Sequence, residues 1–356
     1  MTINRSWLLA RRPQGRVSIE DFAYREEPFV TPTLADGEVL VRNHCFSCAP
    51  TIRNWLNPPE RSYRTSIGIG QPIAGMAGAE IMASRHPRFS AGDYVTAVSP
   101  WQDYAVLAPD RAAVPVVPVP AGLTLADALG PYSPNSLTAY FGMIDVGRAK
   151  IGETVLISAA AGSVGTVACQ IARIQGCRVV AIAGGPIKCA WLRDVAGVDA
   201  TIDYKAGDLP AQLAESCPTH VNLFFDNVGG EILQAAVDAM ALHGRIVLCG
   251  QISSYDTGKP APGPRDMMRL VYGRILMQGF VVGDFAARYD EAYAALRQWI
   301  KRGDLICRTD LREGFDRLPE AFVDLFRGNN EGTLLVSATS GLPDQTRTDS
   351  SSEQGR

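Results

Sequence analysis

Two glycines, a lysine and a few polar residues carry whatever chemistry this chain performs. Ala160-Ala161-Gly162-Ser163-Val164-Gly165 is a relaxed G-x-G-x-x-G, with Ala160 at the first glycine position. Residues this small let backbone pass close to a pyrophosphate, whose charge is received by N–H groups at a helix start. About 20 residues further on, a site for an unphosphorylated dinucleotide carries Asp or Glu to hold the ribose 2′-hydroxyl. Here the chain reads Ala183-Gly184-Gly185-Pro186-Ile187-Lys188, without an acid. A carboxylate would repel a 2′-phosphate, whereas an ammonium attracts one. The expected cofactor is therefore NADPH. The plainer alternatives are a small-residue turn packing a helix on a sheet, and a solvated lysine at a helix start.

The elements around the motif must be strand, turn, helix and strand. Thr154 to Ser158 is apolar and β-rich, Val167 to Ile174 has helical spacing, and Cys177 to Ala183 reads as a second buried strand. Further strands are expected at Ala200–Tyr204, Val221–Phe225, Arg245–Cys249 and Ile275–Val282, alternating with helices, which means a doubly wound parallel sheet. Ligands of such sheets lie outside the strands' carboxyl ends. Cofactor contacts are accordingly sought in Asp226-Asn227-Val228-Gly229-Gly230 and in Gly250-Gln251-Ile252-Ser253-Ser254-Tyr255.

Residues 1–130 differ in texture. Short strand candidates broken by Gly and Pro suit a bent, mostly β domain, and Arg111 to Pro120 is too proline-rich for a central strand. After Asp290 a helix from Glu291 to Lys301 is expected, then an extended piece at Cys307–Arg312, a helix around Pro319–Phe326 and a last strand, Thr333–Val336. These return the chain to the first domain. The expected division is 1–130 with 306–340 for substrate, 131–305 for the dinucleotide, and a polar tail from 341 to 356 too poor in apolar residues to fold.

The 356 residues are 46% hydrophobic and 20% charged, with a net charge of −3. Nothing in that balance favours nucleic acid or an anionic membrane as partner. No run reaches the ~18 apolar residues of a membrane span, and residues 1–16 lack the pattern of a signal peptide, so a cytoplasmic protein is expected. The eight cysteines and four histidines are scattered. Cys45-Phe46-Ser47-Cys48 has C-x-x-C spacing, but no second ligand pair follows, and no metal site is expected.

From about Asn4 to Ser337 the chain resembles the zinc-independent medium-chain dehydrogenases/reductases, in particular the NADPH-dependent 2-alkenal, prostaglandin and curcumin reductases. The resemblance rests on Ala159–Gly165, Gly184–Lys188, Phe225–Gly230, Cys249–Tyr255, Leu137-Thr138-Ala139-Tyr140-Phe141-Gly142, and RSWLLARRPQGRVSIEDF at Arg5–Phe22. It implies a Rossmann sheet joined to a GroES-like catalytic domain. It also implies that Gly162, Ser163, Val164 and Gly165 hold the pyrophosphate, and Gly184, Lys188 and Tyr204 the adenosine 2′-phosphate end. Asn227, Cys249, Gly250, Ile252, Ser253, Tyr255, Phe280, Val281, Val282 and Asn330 would line the rest of the dinucleotide. By itself Asn330, in Gly328-Asn329-Asn330-Glu331-Gly332, reads as a turn asparagine.

Zinc-dependent relatives carry Gly-His-Glu where this chain has Gly70-Gln71-Pro72, so the implied chemistry is NADPH-dependent reduction of an enone C=C bond. Tyr255 is the expected donor to substrate, with an aromatic wall or a packing role as alternatives. Two segments depart from the family. Ala49-Pro50-Thr51-Ile52-Arg53 stands in place of Asp-Pro-Tyr-Met-Arg, and Ser133-Pro134-Asn135-Ser136 in place of Met-Pro-Gly. Those losses keep two other readings open, ring closure by the enolate and a non-catalytic NADPH sensor. Deuterated NADPH with product mass analysis separates the first, and an enone turnover panel the second. The resemblance also implies a homodimer.

Overall fold

The computed structural model describes residues 2–61, 66–255, 257 and 262–339; the tail expected from Gly341 lies outside them. Strands β1 (Ile3–Leu9) and β2 (Phe22–Pro28) form an antiparallel hairpin of their own, a small sheet that the sequence pattern did not separate. A seven-stranded sheet follows, built from β3 (Val39–Ser47), β4 (Ala74–Ser84), β5 (Tyr94–Pro100), β6 (Tyr104–Leu107) and β7 (Val117–Pro118), with two late strands, β14 (Thr309–Glu313) and β15 (Thr333–Ser337). The proline-rich stretch expected to be a connector contributes β7, two residues at the margin of β5. A sheet margin tolerates the missing donors of its prolines.

The second sheet has six parallel strands: β8 (Thr154–Ile157), β9 (Arg178–Ala183), β10 (Ala200–Asp203), β11 (Val221–Asp226), β12 (Met240–Leu248) and β13 (Leu276–Gly279). Their spatial order is β10-β9-β8-β11-β12-β13, the doubly wound order that reverses between β8 and β11. The expected Rossmann sheet is thus present. Side chains alternate across a strand, and the cores obey this. Val155, Ile157, Val179, Ala181, Leu223 and Phe225 enter one apolar cluster, and Leu156, Val180, Ile182, Phe224 and Ile246 enter the other. Each face therefore needs helices to cover it, which is why these strands read as continuous apolar runs.

The long helix Ser163–Ile174 is held to the approach of β14 by a reciprocal pair of bonds. The Gln170 amide donates to Ile306 O at 2.8 Å and accepts from Ile306 N–H at 2.7 Å. The helix Pro134–Phe141 continues into one wide turn of π-helix, Gly142–Val146. A Cβ on Gly142 would stand 2.6 Å from the Phe225 ring and 2.7 Å from Phe280, so only glycine lets this helix approach β11. Among the described residues no helix is long and apolar enough to cross a membrane.

Candidate functional site

The site forms where the strand order reverses, at the carboxyl ends of β8 and β11. After β8 the backbone turns at Ala159, left-handed with φ 46°. The sequence motif put the tight-turn position at Ala160; the strained residue is its neighbour, because the Ala160 N–H is committed to Ile182 O of β9 at 2.9 Å. The helix starts at Ser163 with Gly162 as its N-terminal flank. Its first ladder bond runs from Thr166 N–H to Gly162 O at 3.0 Å, so the N–H groups of Ser163, Val164 and Gly165 precede the ladder. Gly162, Ser163 and Val164 are half-exposed, whereas Gly165 is buried. A Cβ on Gly165 would lie 2.7 Å from Ala160 Cα and 2.9 Å from the Ala159 carbonyl carbon, and nearer still to its oxygen. Glycine here lets the helix start sit directly on the turn, with its N–H groups facing outward.

Beyond β9 lies a cationic corner. The Tyr204 ring packs on Gly184, where a Cβ would come within 2.8 Å of it, and Lys205 Nζ lies 5.9 Å from the ring centroid. Lys188, in the first turn of Pro186–Asp194, donates from Nζ to Gly328 O at 2.8 Å. Arg308 lies 5.3 Å from the Trp191 ring centroid and is ion-paired with Glu331. Burial first, then Lys205, pull the Lys188 ammonium below the ordinary lysine value, with Arg308 adding to them and Glu331 and Asp310 opposing. An acid does stand nearby. Asp203, at the end of β10, accepts the N–H groups of Gly185 at 2.9 Å and Lys205 at 3.0 Å through one oxygen. The sequence reading missed it, as it missed Lys205 and Arg308, because all three arrive from other parts of the chain.

The middle of the site is tied together by Asp226. Its buried carboxylate accepts Ser158 Oγ–H at 2.8 Å, Val228 N–H at 2.9 Å and Gly229 N–H at 3.0 Å, while its carbonyl accepts Cys249 N–H at 2.8 Å and Gly250 N–H at 3.1 Å. Burial pushes this carboxyl up, and the bonds from Gly229, Val228 and Ser158 pull it back. The Asn227 amide donates to Ser158 O at 2.8 Å. One residue thereby aligns three strand ends, its carboxylate joining β8 to β11 and its main-chain carbonyl holding the end of β12. Ile252 and Ser253 donate their N–H groups to Asn227 O and Val228 O, and the Tyr255 phenolic oxygen accepts the Gln251 N–H at 3.4 Å. Burial pushes the Cys249 thiol up to about 12, which leaves it an apolar neighbour at neutral pH.

Asn330 is buried, and its amide is turned back on its own loop, donating to Gly332 O at 3.0 Å. That loop does reach the motif, through Gly332 N–H to Ala161 O at 3.1 Å. Phe280 packs beside Phe225 through Gly142, Val282 is half-exposed, and Val281 is 62% exposed. Of the departing segments, Arg53 is turned inward, donating to Asn57 Oδ1 at 2.7 Å and Gly15 O at 3.0 Å. Cys45 and Cys48 are buried free thiols, Cys45 pushed up to about 12 by burial.

A family model described as the N-terminal domain of oxidoreductase matches residues 5–115, and one described as zinc-binding dehydrogenase matches residues 163–301. The NADPH-dependent curcumin reductase of Escherichia coli (strain K12) is 34% identical over 338 residues, 94% of this chain and 96% of that protein. This chain belongs to the zinc-independent medium-chain dehydrogenases/reductases. Within that family it is also similar to the 2-alkenal reductase (NADP(+)-dependent) of Nicotiana tabacum, 34% identical over 301 residues, 84% of this chain and 87% of the relative. The crystal structure of CurA in complex with NADPH from Vibrio vulnificus matches with a TM-score of 0.87 at 35% identity, covering 95% of this chain and all of that one. Among the described residues of this reductase, no three His, Cys, Asp or Glu side chains are grouped to hold a metal ion.

Proposed function

We propose that this protein is an NADPH-dependent reductase of the carbon–carbon double bond of α,β-unsaturated carbonyl compounds. One observation carries the reading. At the reversal point of the sheet a helix start presents unladdered N–H groups, and the far end of the same cleft gathers Lys188, Lys205 and Arg308. A pyrophosphate fits the first feature and a 2′-phosphate the second. Relatives named for the reduction of curcumin and of 2-alkenals place the chemistry at a conjugated C=C bond.

When bound, NADPH supplies a hydride, two electrons and a proton's mass, to the substrate β-carbon. The π pair moves to the carbonyl oxygen as an enolate, and a solvent proton completes the α-carbon. The chain's part is to hold and orient. Gly162 to Gly165 receive the pyrophosphate, Gly184, Lys188 and Tyr204 the adenosine end, and the loops at Asn227 and at Cys249, Gly250, Ile252 and Ser253 border the nicotinamide half, with Phe280–Val282 and the Asn330 loop beside them. Tyr255 is the proposed donor to the carbonyl oxygen. Without a Lewis acid, hydrogen-bond donors must receive that charge.

The division into residues 1–130 with 306–340 and 131–305 belongs to this reading, as do a cytoplasmic setting and a homodimer. The dimer is supported by β13, which among the described residues pairs only with β12, and by the exposed Val271, Tyr272 and Leu276 beside it. Light scattering that returns a monomer mass removes it. The function is tested by NADPH oxidation across a panel of simple enones, with deuterated NADPH locating the label. A saturated product with deuterium on the β-carbon and solvent hydrogen on the α-carbon is expected. Tight NADPH binding without any turnover would refute it.

A further inference from the structure

One short loop touches both anion-receiving ends of the cofactor cleft. Gly328 O accepts the Lys188 ammonium at 2.8 Å, while Gly332 N–H donates to Ala161 O at 3.1 Å and Gly332 forms an isolated parallel bridge with Gly162. Between those two glycines the chain reads Asn329-Asn330-Glu331, with one acid among them. Glu331 thus stands next to the residue that touches the phosphate turn, and three residues from the carbonyl that holds Lys188. A carboxylate in that place opposes the phosphates that the surrounding groups are suited to receive.

Arg308 offsets it. The guanidinium is ion-paired with Glu331 and lies 5.3 Å from the ring centroid of Trp191, which follows Lys188 by one turn in the helix Pro186–Asp194. The neighbouring acids are held by a different arginine, Arg312, at 3.3 Å from Asp310 and 2.7 Å from Asp324. The Arg308–Glu331 pair is open to a ligand, its side chains 21% and 43% exposed on a cleft of about 500 Å³. It is also one-armed, since the hydrogen bond to Glu331 comes from Nη2, and Nη1, turned inward, has no partner among the described residues. An exposed pair of that kind is weak. Both charges are felt at Lys188, where Arg308 pushes the pKa down and Glu331 pushes it up. A guanidinium fork accommodates phosphate oxygens as readily as carboxylate ones.

We infer that Arg308 passes from Glu331 to the 2′-phosphate when NADPH binds, and that Glu331, as the rival acceptor, sets how strongly NADPH is preferred over NADH. The inference rests on the NADPH-dependent reading of this site. Neither residue touches a reacting atom. The exchange moves no proton, and what it changes is which anion the guanidinium serves. Glu331 therefore weakens the hold on the cofactor's extra phosphate and Arg308 strengthens it.

The test is Kd for NADPH and for NADH, by fluorescence titration, in Glu331→Gln and Arg308→Ala, with Tm of the ligand-free proteins. Glutamine keeps an acceptor oxygen for Arg308 and removes only the charge. Glu331→Gln is expected to tighten NADPH roughly two- to fivefold, the strength of an exposed ion pair, with NADH affinity and Tm nearly unchanged. Arg308→Ala is expected to weaken NADPH roughly 10- to 100-fold, the loss of a hydrogen bond to a charged group, and NADH far less. Unchanged NADPH affinity in Glu331→Gln overturns the inference. Weaker NADPH binding in that variant overturns it as well, making the carboxylate a support that orients Arg308. Equal changes for NADPH and NADH also overturn it, because the pair would then act on the pyrophosphate that both carry. A wild-type protein that binds NADPH no more tightly than NADH instead overturns the underlying reading.

Discussion

Substituting Gly165 by alanine isolates the feature on which the proposed cofactor binding rests. The added methyl would sit 2.7 Å from Ala160 Cα and 2.9 Å from the Ala159 carbonyl carbon. Carbon atoms pack at about 3.5 Å or more, so the helix start must recede by roughly 0.8 Å. The opposing atoms are backbone and cannot swing aside. The turn itself is held, by Ala160 N–H on Ile182 O and by Gly162 N–H on Ala159 O, both at 2.9 Å. Overpacking of this kind costs about 1–3 kcal/mol, a Tm decrease of roughly 2–10 °C for a domain of this size. The same recession moves three N–H groups away from the pyrophosphate, and loss of one such charge-assisted hydrogen bond, about 1.5–3 kcal/mol, lowers NADPH affinity roughly 10- to 100-fold. Gly162→Ala is the control. Its Cβ would meet only Ala159 O, at 3.2 Å, and otherwise face open space. Differential scanning fluorimetry and NADPH titration should show Gly165→Ala losing stability and affinity together, and Gly162→Ala losing affinity with Tm nearly unchanged. A Gly165→Ala protein with wild-type Tm and wild-type Kd for NADPH would refute the packing argument.

Three further outcomes are expected. Lys188→Ala raises the KM for NADPH at least tenfold more than that for NADH, because only the former brings a 2′-phosphate; equal effects on both cofactors would dissolve the assignment. NADPH affinity, measured by fluorescence titration, declines as pH rises through the alkaline range. The Lys188 pKa is lowered in the free protein and a bound phosphate raises it, so binding takes up a proton: affinity is full below the free-protein value and is lost above it. NADH affinity stays flat, and a flat NADPH profile would contradict the assignment. Tyr255→Phe lowers kcat/KM for an enone with NADPH affinity nearly intact; an unchanged rate makes this tyrosine a wall of the pocket.

The phosphate turn and the parallel sheet were legible because they are local. Small residues, a β-rich run before them and helical spacing after them suffice to specify strand, turn and helix. The absence of an acid at Ala183–Lys188 was equally readable, being a matter of one strand end. The β1–β2 hairpin was not, since strand pairing depends on what the rest of the chain offers as a surface. Asp226 was visible as a letter in a loop, but its role as the acceptor joining three strand ends depends on Ser158 and Cys249, 68 residues before it and 23 after it. Asp203, Lys205 and Arg308 escaped notice for the same reason. Ser133 appeared only as a departure from a familiar segment.

By itself the sequence pointed to the kind of ligand, through the proposed roles of glycines whose missing side chains and a lysine whose charge act wherever the backbone carries them. Tertiary structure alone decided which donors face that ligand. A polar side chain is spent or left over according to its neighbours: Thr124 is used by its own helix, Asn330 by its own turn, and Ser133 by none among the described residues. Satisfaction of hydrogen bonds is a property of space rather than of spacing, because the partner that consumes a donor can come from any point along the chain.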